Sequence, residues 1–375
     1  MNIKKIVAVG LFAATSITGL NGAQAQEQVA PISTLRLEMR ADAQADFLHN
    51  AEDERQEYRF RGKYFNLHMG GSLNGGFSYY FRQRIIANPG SSTLFDNTDF
   101  LWLNYAANER WSFRVGKDAL AVGGFEYDAP PIDVYVPAVY WNQFYCFQLG
   151  ASAAYTFGGG NHSLRLQLAN SPAMHYGAPF DEGIFALNLL WSGSMGHFKT
   201  LYSAGVLNLY KDNSPEFLYV ALGNKWDGDV WKAYVDLMMH SMQFDQVDYL
   251  GLVGRVDYAL SQRTTLFAKA GLELADKNEM VAYARYAGAT AYDYLSVFDV
   301  SVLGKTYGSL NENFVALGAE FRPAKCPAVR FHGFVAKHFK SETSKASSST
   351  DNPLHTWTFN VGATWNVDVK GLLSK

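Results

Sequence analysis

Five histidines, His197, His240, His332, His338 and His355, stand singly along the chain, with no serine at a spacing that local structure would bring to them. Hydrolysis needs a nucleophile, a base and an orienting group within hydrogen-bond reach. The sequence therefore points away from an enzyme. No HxH, HExxH or CxxC spacing occurs, so neither a metal nor a cofactor is expected. What could act is charge. Arg36 and Arg40, and Arg82 and Arg84, stand at even spacings within alternating segments, and Arg114 lies within another. In a strand, residues two apart share a face, so such cations would line one wall and act on passing ions through their field.

The compartment comes from the N-terminus. Lys4 and Lys5 precede an apolar stretch from Ile6 to Ala14, and Ala23-Gln24-Ala25 is a small-x-small cleavage site. Residues 1–25 are expected to be a cleaved export signal, leaving 26–375 as the mature chain. Cleavage removes two lysines and no acid, so 30 basic face 35 acidic residues, a net charge of −5. That charge and the exported location exclude nucleic acid as a partner. Beyond residue 25 no apolar run reaches the roughly 18 residues of a membrane-crossing helix. The mixture is instead aromatic and glycine-rich, with 26 Phe, 22 Tyr, 8 Trp and 33 Gly, and favours strands. Two cysteines, Cys146 and Cys326, fall at opposite ends of the topology below and are expected to stay separate thiols.

The elements that would position the charges follow from period-two alternation. Leu35 to Asp42 alternates apolar and charged without a fault, and Phe147 to Phe157 and Trp357 to Val367 do the same with small or polar partners. Sixteen such segments are expected, at about 35–47, 58–73, 77–86, 97–106, 111–117, 143–157, 163–170, 183–192, 197–210, 216–226, 230–240, 248–258, 264–274, 313–322, 328–339 and 354–367. Alternation is weakest in 97–106, 197–210 and 216–226. Seven tight turns alternate with longer connections, as required by sixteen strands with both termini on the periplasmic side. The expected fold is all-β: a transmembrane antiparallel barrel of sixteen strands in the outer membrane, in contact with its lipid.

If the apolar faces meet lipid, the others face the lumen. Basic candidates there are Arg36, Arg40, Arg82, Arg84, Arg114, Arg165, Lys199, Lys232, Arg255, Lys269, Arg322 and Arg330, twelve against seven acids: Glu38, Asp42, Asp46, Asp236, Asp257, Glu273 and Glu320. The wall should be net basic, with Arg40, Arg82, Arg84 and Arg114 in one sector. The third outer loop, 118–142, is too apolar and aromatic for open water and is expected to fold into the lumen, bringing Asp118, Glu126, Asp128 and Asp133 towards that sector. Packing on a neighbouring subunit is the alternative for so aromatic a loop.

The stretch GKDALAVGGFEYDAPPID at 116–133, following RFRGKYFNLHMGGSLNGGFSYYFRQR at 59–84, resembles the family of phosphate-selective porins O and P, in the branch typical of Bacteroidetes. The likeness runs on through GNKW at 223–226 to VGATWNV at 361–367 and is most specific between Gly116 and Asp133. It implies a trimer of sixteen-stranded barrels, an inward third loop and passage favouring anions. Type members use a ladder of arginines and a vestibule of lysines. Arg82, Arg84 and Arg114 fit the ladder, whereas Lys199, Lys232 and Lys269 are scattered among acids. The expectation is passive diffusion of small anionic or neutral solutes, with a mild anion preference in place of a dedicated phosphate path. A plugged adhesive barrel, using loops 275–312 and 340–353, and a barrel hydrolase are the rival readings. The ten residues after Trp365 depart from the aromatic ending common in such barrels.

Overall fold

The computed structural model describes residues 31–49, 54–85, 95, 97–138, 146–171, 185–209, 218–241, 249–275, 312–340 and 355–373. The expected export signal, 1–25, and the outer-loop residues 276–311 and 341–354 lie outside them.

Sixteen strands form: β1 (Thr34–His49), β2 (Glu54–Ser72), β3 (Phe77–Arg84), β4 (Thr98–Ala106), β5 (Trp111–Ala119), β6 (Phe147–Phe157), β7 (His162–Asn170), β8 (Phe185–Met195), β9 (Phe198–Leu209), β10 (Leu218–Asp227), β11 (Trp231–Ser241), β12 (Tyr249–Ala259), β13 (Thr264–Ala275), β14 (Glu312–Phe321), β15 (Val329–Lys340) and β16 (His355–Asp368). A short helix, α1 (Val369–Leu373), follows. Each strand pairs antiparallel with its sequence neighbours, and β1 closes on β16 from Arg36↔Asp368 to His49↔His355. Closure leaves no unpaired edge, the condition that lipid imposes on a sheet.

Alternation resolves into two faces. Leu101, Leu103, Phe113, Val115, Leu164, Leu166 and Leu168 are exposed on the outer face, while Trp102, Asn104 and Gln167 between them are buried. The three least regular segments are strands whose inner residues are covered, so apolar side chains are tolerated on both faces. On β4 these are Phe100 and Trp102, packed with Phe147. On β9 and β10 they include Leu201, Tyr219 and Ala221.

One irregularity changes which charges face inward. The β1–β2 register shifts between Arg40 and Ala41, whose partners are Tyr64 and Gly62, so Lys63 is skipped. This bulge re-phases the outer part of β2. Arg59 and Arg61 then stand opposite Gln44 and Asp42, while Tyr58 and Phe60 point outward and are strongly exposed. Strict alternation carried across the bulge had left both arginines out of the lumen.

Cys146 lies just before β6 and Cys326 in the β14–β15 turn, and they remain separate thiols. Partial withdrawal from water pushes the Cys146 thiol up to about 12.

Gly116 on β5 has φ 127°, and a Cβ there would sit 2.2 Å from the Leu101 carbonyl oxygen. Gly116→Ala is expected to destabilise the barrel by about 1–3 kcal/mol. Urea unfolding of the detergent-solubilised barrel, followed by tryptophan fluorescence, measures this.

Candidate functional site

After β5 the chain runs along the inner wall, touching alternate strands in turn. The Ala121 N–H donates to Gln167 Oε1 on β7 (2.6 Å), and the Gly123 N–H to Ser203 Oγ on β9 (2.7 Å). The Phe125 and Glu126 N–H groups donate to the two oxygens of Asp236 on β11, at 2.9 and 2.7 Å. Glu126 Oε1 accepts from Lys269 Nζ on β13 (2.9 Å) and from the Ala138 N–H (2.8 Å). Asp133 pairs with Arg330 on β15. Finally the Ile132 and Val134 carbonyls accept from Arg40 Nη1 on β1, at 3.3 and 3.1 Å. Those wall side chains belong to the faces opposite the exposed apolar ones, so segment 120–136 is a strap on the inside of the barrel.

Two features let the strap lie close. Gly223 on β10 has no Cβ where one would come within 2.8 Å of Gly124 Cα, so backbone meets backbone there. Further on, Tyr135, Val136 and Ala138 pack with Val253, Phe267, Phe314, Ala316, Phe334 and Ala336, an apolar patch on the inner wall. The Tyr135 ring stacks on His332 at 4.5 Å and on Phe267 at 5.4 Å. Burial, reinforced by Glu320, holds its phenol well above the ordinary range, so Tyr135 stays neutral.

The charges are organised into ion pairs. Among the described residues, eleven of the twelve basic residues read from the sequence, all but Arg36, have a carboxylate within ion-pair distance. Arg40 pairs with Asp42 (2.7 Å), Arg82 and Arg84 share Asp99 (2.9 and 2.8 Å), and Arg114 and Arg165 share Asp118 (2.7 and 2.6 Å). Lys232 shares Asp227 with Lys199 (3.0 and 2.5 Å), and Lys269 pairs with Glu126. Asp99 and Asp227 were missed because one sits beside a bulge between Arg82 and Gln83 and the other at the mouth of a tight turn. Lys225, opposite Lys199 across the β9–β10 ladder, was missed as well. Alternation within β10 placed it inward.

Arg40, Arg82, Arg84 and Arg114 stand on β1, β3 and β5, and their ion pairs form three separate clusters. One expectation about the loop acids needs correction. Of the loop acids, only Asp118 reaches that sector, through Arg114. Glu126 and Asp133 are held by Lys269 and Arg330 on the wall beneath the strap, because the strap follows β7 to β15. Asp128 lies near Lys225, again on the far wall.

Arg40 is distinct from the others. Nε and Nη2 grip both Asp42 oxygens at 2.9 and 2.7 Å, Nη1 holds two strap carbonyls, and the guanidinium lies 4.8 Å from the Tyr135 ring. It is 1% exposed. Its role here is to anchor the strap. By contrast Arg84, Arg114, Arg165 and Lys199 keep side chains 28%, 10%, 15% and 16% exposed. Arg114 is braced over Trp102 at 4.1 Å, and Arg82 over Phe100 at 4.5 Å, contacts that fix a cation's direction without neutralising it. Among the described residues no cluster of metal-ligating side chains occurs.

This architecture is shared with solved channels. The chain is similar to the outer membrane channel DcaP of Acinetobacter baumannii, with a TM-score of 0.58 and 12% identity over 94% of this chain and 100% of that one. It is also similar to the anion-selective porin from Comamonas acidovorans (0.58, 11%, 89% and 99%) and to Salmonella typhi OmpF in complex with daunomycin (0.55, 11%, 89% and 97%). Identities this low establish a common fold. The family described as phosphate-selective porin O and P matches residues 34–197, from β1 to the end of β8. Over these residues the chain is similar to that family. No curated protein matches the sequence. The fold is that of solved outer-membrane channels, and the resemblance read from the Gly116–Asp133 block agrees with the family match.

If Arg40 anchors the strap, Arg40→Lys keeps the charge and loses the grip on Ile132 and Val134. Single-channel recordings should then show noisier and larger openings, with the reversal potential in a KCl gradient almost unmoved.

Proposed function

We propose that this porin is a passive diffusion channel of the outer membrane for small anionic or neutral solutes, with a mild preference for anions. The observation that carries the preference is stoichiometry. Among the described residues Asp99 serves two arginines, Asp118 two arginines and Asp227 two lysines, so in each of these ion-pair clusters two cations share one carboxylate. Of the exposed heads, Arg84 and Arg114 stand on β3 and β5, which the strap leaves uncovered, while Arg165, Lys199 and Lys232 stand near the tight-turn ends of β7, β9 and β11. A positive field at a narrow passage raises the local anion concentration, and a shared carboxylate keeps any one site from binding tightly. That balance favours throughput over capture and argues against a dedicated phosphate site.

The rest of the reading follows the sequence. Residues 1–25 direct export and are removed, and both termini lie on the periplasmic side with the seven tight turns. Three barrels associate side by side in lipid, as the family resemblance implies. The lumen works through fields and sterics and performs no covalent chemistry, since its histidines and acids are engaged in positioning, as with His332 Nε2 on Asp42 at 3.1 Å.

Planar bilayers test this reading. The full-length porin should give stepwise conductance and a reversal potential of anion sign in a KCl gradient; a barrel that gives no steps, or a cation-selective one, contradicts it. Removing both members of one cluster with Arg82→Ala and Arg84→Ala should lower the chloride-to-potassium permeability ratio by about twofold, whereas Asp99→Asn should raise it by a similar factor.

A further inference from the structure

The outer face around the closing seam is apolar up to a definite height and then carries a cation. On β14, β15 and β16 that face presents Val315, Leu317, Phe331, Phe359 and Val361, all exposed. One step nearer the long-loop end comes Lys337. Its register partner is Trp357, and its ammonium lies 5.1 Å from the centre of that ring, so it shares the lipid-facing side with an indole that is 44% exposed. His355 is the diagonal neighbour, and it stacks on His49 of β1 with ring centroids 6.3 Å apart. Glu54 takes the far side of His49 at 3.3 Å. Lys117, whose register on β5 also points outward, is 3% exposed and capped by the Phe95 carbonyl and ring. Lys337 has no such cover.

A lysine on a lipid-facing strand is costly unless its head meets the interface, and an aromatic residue beside it marks that boundary. Lysine binds phosphate as a point charge, and an indole edge packs on the apolar part of an amphiphile. We infer that Lys337 and Trp357 form a site for a phosphate-bearing lipid headgroup of the outer leaflet, with His355 at its upper edge. A free phosphate ion is not its ligand, because a half-buried lysine beside one indole offers one charge and no enclosure, and only the acyl chains packing on Phe359 and Val361 below supply the remaining affinity. The side of the bilayer rests on the proposed orientation of the termini; the site itself does not.

Native mass spectrometry of the full barrel released from detergent, with diphosphoryl lipid A as probe, reads the site directly. The wild type should retain bound lipid about fivefold more than Lys337→Gln, with Lys337→Arg restoring retention. Inorganic phosphate at millimolar concentration should not displace it. Equal retention by Lys337→Gln, or displacement by inorganic phosphate, overturns the inference. Unchanged single-channel conductance of Lys337→Gln shows that the variant is folded and keeps this test separate from that of the channel itself.

Discussion

Closure of β1 on β16 is the constraint from which the rest of the molecule follows. In hydrocarbon every backbone N–H and C=O must find a partner within the sheet, so sixteen strands have to meet end to end. The seam where they meet also carries the strap's far anchor. Arg40 and Asp42 on β1, His332 on β15 and Asn360 on β16 meet across it, with His332 Nε2 3.1 Å from one Asp42 oxygen and Asn360 Nδ2 3.4 Å from the other. The side chains that knit the seam thus also position the segment that fills part of the lumen. A barrel that failed to close would lose both.

From that seam the interior divides into two regions with different physics. From β7 round to β15 and on to β1, the wall is covered by the strap and behaves as a protein core, with an apolar patch and buried pairs such as Lys269 with Glu126. From β3 to β6 the wall is uncovered by the strap. There arginines lie flat on aromatic rings and share carboxylates two to one. The first region fixes the shape of the passage, and the second gives it its electrical character. Shared carboxylates are a compromise between two needs: enough positive charge to draw anions in, and enough neutralisation to let them leave.

Much of this was legible in the sequence because lipid leaves few alternatives. Period-two alternation and the tight-turn spacing gave all sixteen strands to within a few residues, since a strand exposed to hydrocarbon must keep one face apolar. The Gly116–Asp133 block carried the resemblance that the family match over residues 34–197 supports. What stayed hidden was pairing between residues far apart in the chain. Nothing near Glu126 indicates that its partner is Lys269, and nothing near Asp133 points to Arg330, because those contacts depend on where the strap lies around the barrel. Arg59 and Arg61 were hidden by the bulge at Lys63, where one extra residue reverses the faces. Strands β4 and β10 read poorly for the opposite reason: their inner residues are covered, so the polar half of the pattern was never needed there.

Cysteine accessibility tests the two-region interior most directly. In a Cys146→Ser, Cys326→Ser background, Ser152→Cys on β6, beside Arg165 Nε at 3.1 Å, faces the uncovered wall, while Ala221→Cys on β10 lies fully buried beneath the strap. A charged methanethiosulfonate reagent should reduce the single-channel current of Ser152→Cys and leave Ala221→Cys unaffected. Block at Ala221→Cys with none at Ser152→Cys would show that solutes pass along the other wall, and would contradict this account.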